Sequence, residues 1–250
     1  MNGREIVGAG TAESDWINWL SRQKVPNLTV QRLFEENKRL VVVAPHPDDE
    51  ILACGGLLAL SAKVNFPISV VAVTDGEGSH AMTDEHQRQS LGEQRVSESC
   101  AGLMQLGIDP ECVVRLKIPD GSAANNVEHI FLQLEDLFLP GDLVITTWSQ
   151  DGHPDHEATA DAVLRTGCKA MQAPVWMWHW AKPADKKIPW ANLMSIEITE
   201  DAIHAKKNAL AQHHSQIAWS SDRFEPVLIP SIVERAARQH EYFFIAINAC

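Results

Sequence analysis

Short apolar runs rich in β-branched residues alternate along this chain with longer segments that carry a single apolar face. The short runs have the length of buried strands, and the longer segments have the periodicity of amphipathic helices. Strands are predicted at 40–44, 68–74, 112–118, 143–147 and 175–180, and helices at 51–64, 85–106, 125–139 and 155–171. This alternation predicts an α/β fold, a Rossmann-like layered domain with a mainly parallel sheet and helices on both faces.

The two ends of the chain follow the pattern less closely. Residues 1–38 precede the first predicted strand, and residues 39–250 form one predicted domain, for which 250 residues and 45% hydrophobic content suffice. After residue 180, strands are predicted at 194–199 and 242–247 and a helix at 203–214. In the N-terminal extension, residues 13–15 would cap a helix that packs on the domain through Trp16, Ile17, Trp19 and Leu20, with a partner-binding helix as the alternative.

The charge of the chain limits its partners. A net charge of −12 and a pI near 5.3 argue against nucleic acid and anionic membranes, because both select for basic surfaces. No segment has the length of a membrane span or the apolar core of a secretory signal. We therefore expect a cytoplasmic protein with a small-molecule partner, and the sequence leaves a homo-oligomer open.

The cysteines agree with that location. They are scattered without CxxC pairs, which is typical of reduced thiols in a protein core. The five residues are Cys54, Cys100, Cys112, Cys168 and Cys250.

The densest group of ionisable residues follows the first predicted strand. His46, Asp48 and Asp49 lie in Pro45-His46-Pro47-Asp48-Asp49-Glu50, between that strand and the next helix. The carboxyl ends of strands are where open α/β sheets bind ligands. A catalytic zinc site uses three nitrogen or oxygen ligands and keeps one position open. The spacing of His46 and Asp49 fits two of the three ligands.

A second cluster of the same kind follows the fourth predicted strand, in Asp151-Gly152-His153-Pro154-Asp155-His156. We expect the third ligand to come from this segment. Helix-capping aspartates and solvated histidines would explain either cluster alone. Two matching clusters at two strand ends favour a metal site. Gly55-Gly56, in the helix after the first cluster, lacks the G-x-G-x-x-G spacing of a dinucleotide loop.

Together these motifs resemble the LmbE-like / PIG-L superfamily of zinc-dependent N-acetylglucosaminyl deacetylases. The resemblance begins with the His46–Glu50 and His153–His156 segments and covers roughly residues 39–220. Further matches in the order of the family are Thr74-Asp75-Gly76-Glu77, Arg95-x-x-Glu98, Ile118-Pro119-Asp120-Gly121 and His214-Ser215-Gln216.

The resemblance implies one Zn²⁺, held by His46, Asp49 and His156, and removal of the N-acetyl group from an N-acetylated amino sugar. It further implies that Asp48 is the general base. His153 would stabilise the oxyanion, and Asp155 would orient His153. Spacing alone does not decide which of His153 and His156 binds the metal.

The resemblance also implies substrate-binding roles for Asp75, Arg95, Glu98 and His214. Arg95 and Glu98 lie three residues apart on one helix face, so an intrahelical ion pair is the alternative for them. Asp75 could instead cap a turn. The role of His213, beside His214, is left open. Six other histidines outside the two clusters lack partner spacing and are predicted to be structural; they are His80, His86, His129, His179, His204 and His240.

Two interpretations compete with a deacetylase. A metal-dependent phosphoesterase would need further metal ligands or several cations for the phosphate. A non-catalytic binding module would be expected to lack Asp48 or one ligand, and the sequence retains them all. Trp176, Trp178 and Trp180 alternate along the strand predicted at 175–180, and packing in the core is favoured over sugar stacking for them.

Overall fold

The computed structural model describes residues 4–80, 84–218 and 225–245. The described chain contains a seven-stranded sheet in the order β3-β2-β1-β4-β5-β7-β6. Its first five strands are parallel, and β7 runs antiparallel to both β5 and β6. The strands are β1 (Arg39–Ala44), β2 (Ile68–Ala72), β3 (Val113–Arg115), β4 (Asp142–Thr147), β5 (Ala170–Ala173), β6 (Leu193–Glu197) and β7 (His240–Ile245).

Helices cover both faces of the sheet. The described helices are α1 (Glu13–Leu20), α2 (Val30–Glu36), α3 (Asp49–Lys63), α4 (Glu85–Gln105), α5 (Val127–Leu137), α6 (Pro154–Arg165), α7 (Met177–Trp180), α8 (Glu200–Leu210), α9 (His214–Ile217) and α10 (Pro230–Val233). Alternate residues of β1 enter opposite cores: Leu40 and Val42 pack with α3, α4 and α8, whereas Val41 and Val43 pack with α5 and α6. Burial on both faces explains the continuous apolar run, and the predicted α/β architecture is confirmed.

The strand order places a crevice beside β1. The chain leaves β1 through α3 towards β2 on one side, while β4 pairs with the other side of β1. Connections that diverge in this way leave an opening at the carboxyl ends of the two strands. Both clusters of ionisable residues follow these strand ends, so the topology brings them together.

The prediction of a strand at 175–180 is wrong. The fifth strand is β5, at Ala170–Ala173, and α6 ends at Arg165, several residues before the end of the predicted helix. Residues 177–180 form α7 instead. The buried carboxylate of Asp151 accepts hydrogen bonds from the amides of Val175, Trp176 and Met177, at 3.0, 2.9 and 2.9 Å. Three successive amides aimed at one carboxylate cannot take part in a strand ladder.

The N-terminal helix α1 lies against the domain. Trp16 is fully buried in an apolar cluster with Trp178 and Phe244, and its Nε1 donates to the carbonyl of Trp178 at 2.7 Å. The helix has no side-chain cap, and Glu13 instead receives two hydrogen bonds from Arg238, each of 2.7 Å. Among the described residues, every helix falls short of the length and apolarity that a membrane crossing requires.

Candidate active site

The site is built where β1 meets α3. The tight turn at Pro45–Pro47 leads into Asp48, whose φ of 139° lies in a region that non-glycine residues rarely adopt. Such a conformation costs about 1–3 kcal/mol and persists only where the surroundings enforce it. It places Asp49 as the first residue of α3, with its Oδ2 accepting the amide of His46 at 3.0 Å.

Two histidines approach one oxygen of Asp49. Its Oδ2 lies 3.1 Å from Nδ1 of His46 and 3.1 Å from Nε2 of His156. Ligand atoms about 2.0–2.1 Å from a tetrahedral zinc are about 3.3 Å apart, so both distances fit ligands of a shared ion. Nε2 of His156 is buried and makes no hydrogen bond in the described part of the chain. Asp49 therefore stands at ligand-to-ligand distance from both histidines, as a shared divalent metal would require.

A carboxylate behind His156 prepares that nitrogen. Oδ2 of Asp151 lies 2.8 Å from Nδ1 of His156, and both residues are fully buried. Because the carboxylate accepts the Nδ1 proton, a neutral His156 carries its lone pair on Nε2. Burial alone would lower the pKa of His156, but Asp49 and Asp151 raise it to about 9. The surroundings of this ring thus favour positive charge, as a cation site requires.

His46 is held in a similar way by two carboxylates. Its Nε2 lies 3.2 Å from Oδ1 of Asp120 and 3.3 Å from Oδ2 of Asp155, which leaves Nδ1 towards Asp49. Asp155 itself is fixed by the amides of Gly121 and Ala123, at 2.8 and 3.0 Å. The carboxylate of Asp155 thus lies against His46, while the backbone amide of Asp155 donates to His153. That Asp155 orients His153 stays a prediction.

His153 precedes α6 and receives the amide hydrogen of Asp155 on Nδ1, at 3.2 Å. The ring proton must then lie on Nε2, so a neutral His153 is a hydrogen-bond donor. Burial and the positive charge of His156 and His46 lower the pKa of His153 to about 3, in keeping with a neutral ring. His46, His153 and His156 each place a ring nitrogen within 4.8 Å of the others, so proximity alone leaves two histidines for the third ligand.

Arg95 reaches the site from α4. Its Nη2 donates to Oδ2 of Asp48 and to the carbonyl of Pro47, both at 3.0 Å, and its Nη1 donates to the carbonyl of Gly76 at 2.9 Å. Burial raises the pKa of Asp48 and Arg95 lowers it, with a result of about 7. The two residues are buried together, so the intrahelical pair with Glu98 that the sequence left open is not the contact that Arg95 makes.

A pocket of about 260 Å³ opens over these groups, close to the lower end of small-molecule sites. Its lining includes both polar and apolar residues. The polar residues are His46, Asp48, Asp49, Ser79, Arg95, Asp120, His153 and Gln216, and the apolar ones are Leu52, Trp176, Val227 and Leu228. Of the tryptophans predicted on one strand face, Trp176 borders this pocket.

The other predicted substrate residues lie further away. Asp75 is paired with Arg115, whose Nε is 2.8 Å from its Oδ1, and it does not border the pocket. Glu98 accepts hydrogen bonds from the amide and hydroxyl of Ser215, at 3.0 and 2.6 Å. His214 is exposed, whereas Gln216, two residues on, is fully buried and lines the pocket.

Three further residues contribute to the site, and no role was predicted for them from the sequence: Asp120, Asp151 and Gln216. Asp120 and Gln216 stand inside segments already noted as motifs, and Asp151 opens the second cluster. Metal-binding histidines usually donate their second ring N–H to an acceptor such as a carboxylate. The presence of an aspartate in each segment was therefore the signal from which Asp120 and Asp151 could have been predicted.

Comparison with known proteins gives a consistent result. The family described as GlcNAc-PI de-N-acetylase (PIG-L) matches residues 41–166, half of the chain. The 1D-myo-inositol 2-acetamido-2-deoxy-alpha-D-glucopyranoside deacetylase of Corynebacterium diphtheriae is 31% identical over 229 residues, covering 74% of this chain and 78% of that protein. The probable N-acetyl-alpha-D-glucosaminyl L-malate deacetylase 2 of Bacillus subtilis is 29% identical over 133 residues, covering 51% of this chain and 60% of its own length.

Among solved structures, the N,N'-diacetylchitobiose deacetylase of Pyrococcus horikoshii superposes with a TM-score of 0.56 at 17% identity, over 83% of this chain and 81% of that one. At this level of identity, the similarity shows a shared fold and nothing further. The sequence match over half of the chain, with the relative that shares 31% identity, carries the assignment further: the chain belongs to the GlcNAc-PI de-N-acetylase (PIG-L) family.

Proposed function

We propose that the protein is a metal-dependent hydrolase that removes the acetyl group from an N-acetylglucosamine conjugate and releases acetate and a free amine. The observation that carries the proposal is the approach of His46 and His156 to one oxygen of Asp49, each at 3.1 Å, beside a pocket that also holds Asp48. Relatives named as deacetylases of N-acetylglucosamine linked to inositol or to L-malate support this substrate class.

His46, Asp49 and His156 would hold the metal ion, and zinc is the ion that we propose, because two imidazoles and a carboxylate are a known catalytic zinc set. Bound there, a divalent ion supplies polarisation of the acetamide carbonyl and lowers the pKa of water. Asp151 behind His156, and Asp120 and Asp155 behind His46, keep the ligand nitrogens aimed.

Asp48 is the general base. The oxygen of a water molecule bonds to the acetyl carbon while Asp48 takes one of the protons of that water. The carbon–nitrogen bond then breaks, and Asp48 returns the proton to the leaving amine. A carboxylate with a pKa near 7 is suited to both transfers. His153 donates its Nε2 hydrogen to the carbonyl oxygen as negative charge develops there.

The contacts of Arg95 favour this reaction over phosphate ester cleavage. Arg95 lines the pocket, but its guanidinium is held by Asp48 and by two backbone carbonyls instead of standing free for a phosphate. We also infer a reducing, cytoplasmic location, which is supported by the free thiols of Cys54, Cys100, Cys112 and Cys168.

Acetate release tests the proposal. The purified protein is given N-acetylglucosamine, N,N'-diacetylchitobiose and the inositol and L-malate conjugates of N-acetylglucosamine, with and without a chelator. We expect acetate from at least one of them, loss of activity with the chelator and recovery with added Zn²⁺. Release of phosphate from ester substrates, without acetate from any amide, would contradict the proposal. The Asp48→Asn variant is the inactive control.

A further inference from the structure

The helix that begins at Asp49 is interrupted one turn after the site. Cys54 has φ −151° and ψ 29°, outside the helical range. In a continuous helix the amide of Gly56 would donate to the carbonyl of Leu52. Here that amide donates to Oε1 of Glu241 at 2.7 Å, and the carbonyl of Leu52 accepts a hydrogen bond from Nζ of Lys206 at 3.1 Å.

The two substituting side chains are themselves paired. Nζ of Lys206, from α8, lies 2.7 Å from Oε1 of Glu241, from β7, and both residues are buried. Oε2 of Glu241 also accepts the amide of Leu57 at 2.9 Å. Glu241 therefore caps the start of the second part of α3 with two hydrogen bonds. Lys206 binds the carbonyl of Leu52, which would otherwise lack a partner at the end of the first part of the helix.

Gly55 and Gly56 make this approach feasible. A Cβ on Gly56 would lie 2.5 Å from Cγ2 of Ile198 and 3.1 Å from Oε1 of Glu241, and one on Gly55 would lie 3.0 Å from Cγ of Lys206. The glycine pair that lacks dinucleotide-loop spacing thus admits side chains from two other elements to the helix backbone. The interruption thus depends on residues of both partners: the two glycines in α3, and Lys206 and Glu241 in the elements that contact it.

We propose that Lys206 and Glu241 are positioning residues for the metal ligand Asp49. Since they replace a backbone hydrogen bond between the two parts of α3, they set the direction of its first turn separately from the rest of the helix. Asp49 begins that turn, and Leu52, whose carbonyl Lys206 binds, lines the pocket. This inference rests on the proposed role of Asp49.

A purely structural role would have a different signature. Buried ion pairs often add little net stability, and removing one partner destabilises a protein whatever its function. A positioning role requires that the geometry of the metal site changes as well. A metal site requires ligand distances within about 0.2 Å of their usual values, so metal affinity separates the two roles.

Cobalt binding is the test. Co²⁺ replaces the native ion in the purified full-length protein, its affinity is measured by competition with a chelator, and its visible absorption reports the ligand geometry. We expect Glu241→Gln and Lys206→Met to weaken Co²⁺ binding at least tenfold and to alter the absorption bands. Lys206→Met retains both caps made by Glu241, so it keeps the test usable if Glu241→Gln does not fold.

Lys63→Met is the matched control, because the exposed Lys63–Asp201 pair, at 3.4 Å, also joins α3 to α8. It should bind Co²⁺ like the unmodified protein. Near-ultraviolet circular dichroism identifies the folded variants. Unchanged affinity and absorption in folded Lys206→Met, with only a lower melting temperature, would overturn the positioning role alone. Failure of the unmodified protein to bind Co²⁺ would overturn it together with the metal site.

Discussion

Nη2 of Arg95 lies 3.0 Å from Oδ2 of Asp48, and the two side chains are 3% and 7% exposed. Burial raises the pKa of Asp48 and the guanidinium opposes the rise, so the carboxyl group stays within reach of neutral pH. The strained backbone of Asp48 fixes the direction of its side chain. Arg95, expected from the resemblance to bind substrate, is thus also a partner of the proposed base.

The exchange of Asp48 for asparagine tests the role of that base. Asp48→Asn preserves size but cannot take a proton, so we expect kcat to fall about a hundredfold or more while the metal content stays at about one ion per chain. Steady-state kinetics and metal analysis check this. Loss of metal would mean that Asp48 is a ligand and that the roles of Asp48 and Asp49 are exchanged. Asp136→Asn, at an exposed residue of α5 outside the pocket, is the control and should stay close to full activity.

A chain of hydrogen bonds orients Gln216. The hydroxyl of Ser215 donates to Glu98 at 2.6 Å, so its oxygen is an acceptor for Nε2 of Gln216 at 2.9 Å. This arrangement fixes which end of the amide is the oxygen. Oε1 of Gln216 is buried and has no partner in the described chain, although the residue lines the pocket. We interpret this oxygen as an acceptor for a substrate hydroxyl or amide hydrogen.

Removing that acceptor should weaken substrate binding. We expect Gln216→Leu to raise KM about 5- to 150-fold, corresponding to about 1–3 kcal/mol, with a smaller effect on kcat. Gln212→Leu makes the same change at a residue that does not line the pocket and should leave KM unchanged. Equal effects of the two substitutions on KM would contradict the role given to Gln216.

The stability of the protein should depend on His213 in weak acid. Burial, followed by the charge of Arg95, lowers the pKa of His213 to about 4. Between about pH 6.5 and pH 4 the unfolded chain binds a proton at this residue that the folded chain does not. Stability therefore falls as the pH drops through this range, by about 3 kcal/mol from this group.

Urea unfolding at pH 7 and pH 4.5 measures the effect. His213→Gln should show a smaller loss of unfolding free energy between the two pH values than the unmodified protein. His204→Gln, on the exposed side of α8, should retain the full loss. Parallel behaviour of all three proteins would show that His213 is not the group responsible.

The local sequence pattern was sufficient to predict those features of the fold that one physical requirement determines. The apolar run of β1 is buried on both faces, and the turn after it must end the strand, so strand and cluster were both predictable from sequence. The alternation of strands and helices likewise predicted a parallel sheet, and the pairing of β1 with β4, which the sequence did not predict, places His46 beside the segment that carries His156.

The features that the sequence did not predict depend on contacts between residues that are far apart in the chain. The alternation of tryptophans at 176–180 resembles a strand, but the carboxylate of Asp151, at least 24 residues away, captures the amides that begin α7. Asp155 turns to His46 because the loop at 121–123 binds its carboxylate. The break in α3 likewise depends on Lys206 and Glu241 from distant elements. A local pattern contains none of this information.

The most direct measurement is the metal content of His153→Ala beside His156→Ala. Since His156 presents an unpartnered nitrogen to Asp49 while His153 is arranged as a donor, His156→Ala should lose the metal. His153→Ala should keep about one ion per chain and lose about two to four kcal/mol of transition-state stabilisation, seen equally in kcat and kcat/KM. Metal lost from His153→Ala and retained by His156→Ala would contradict the account.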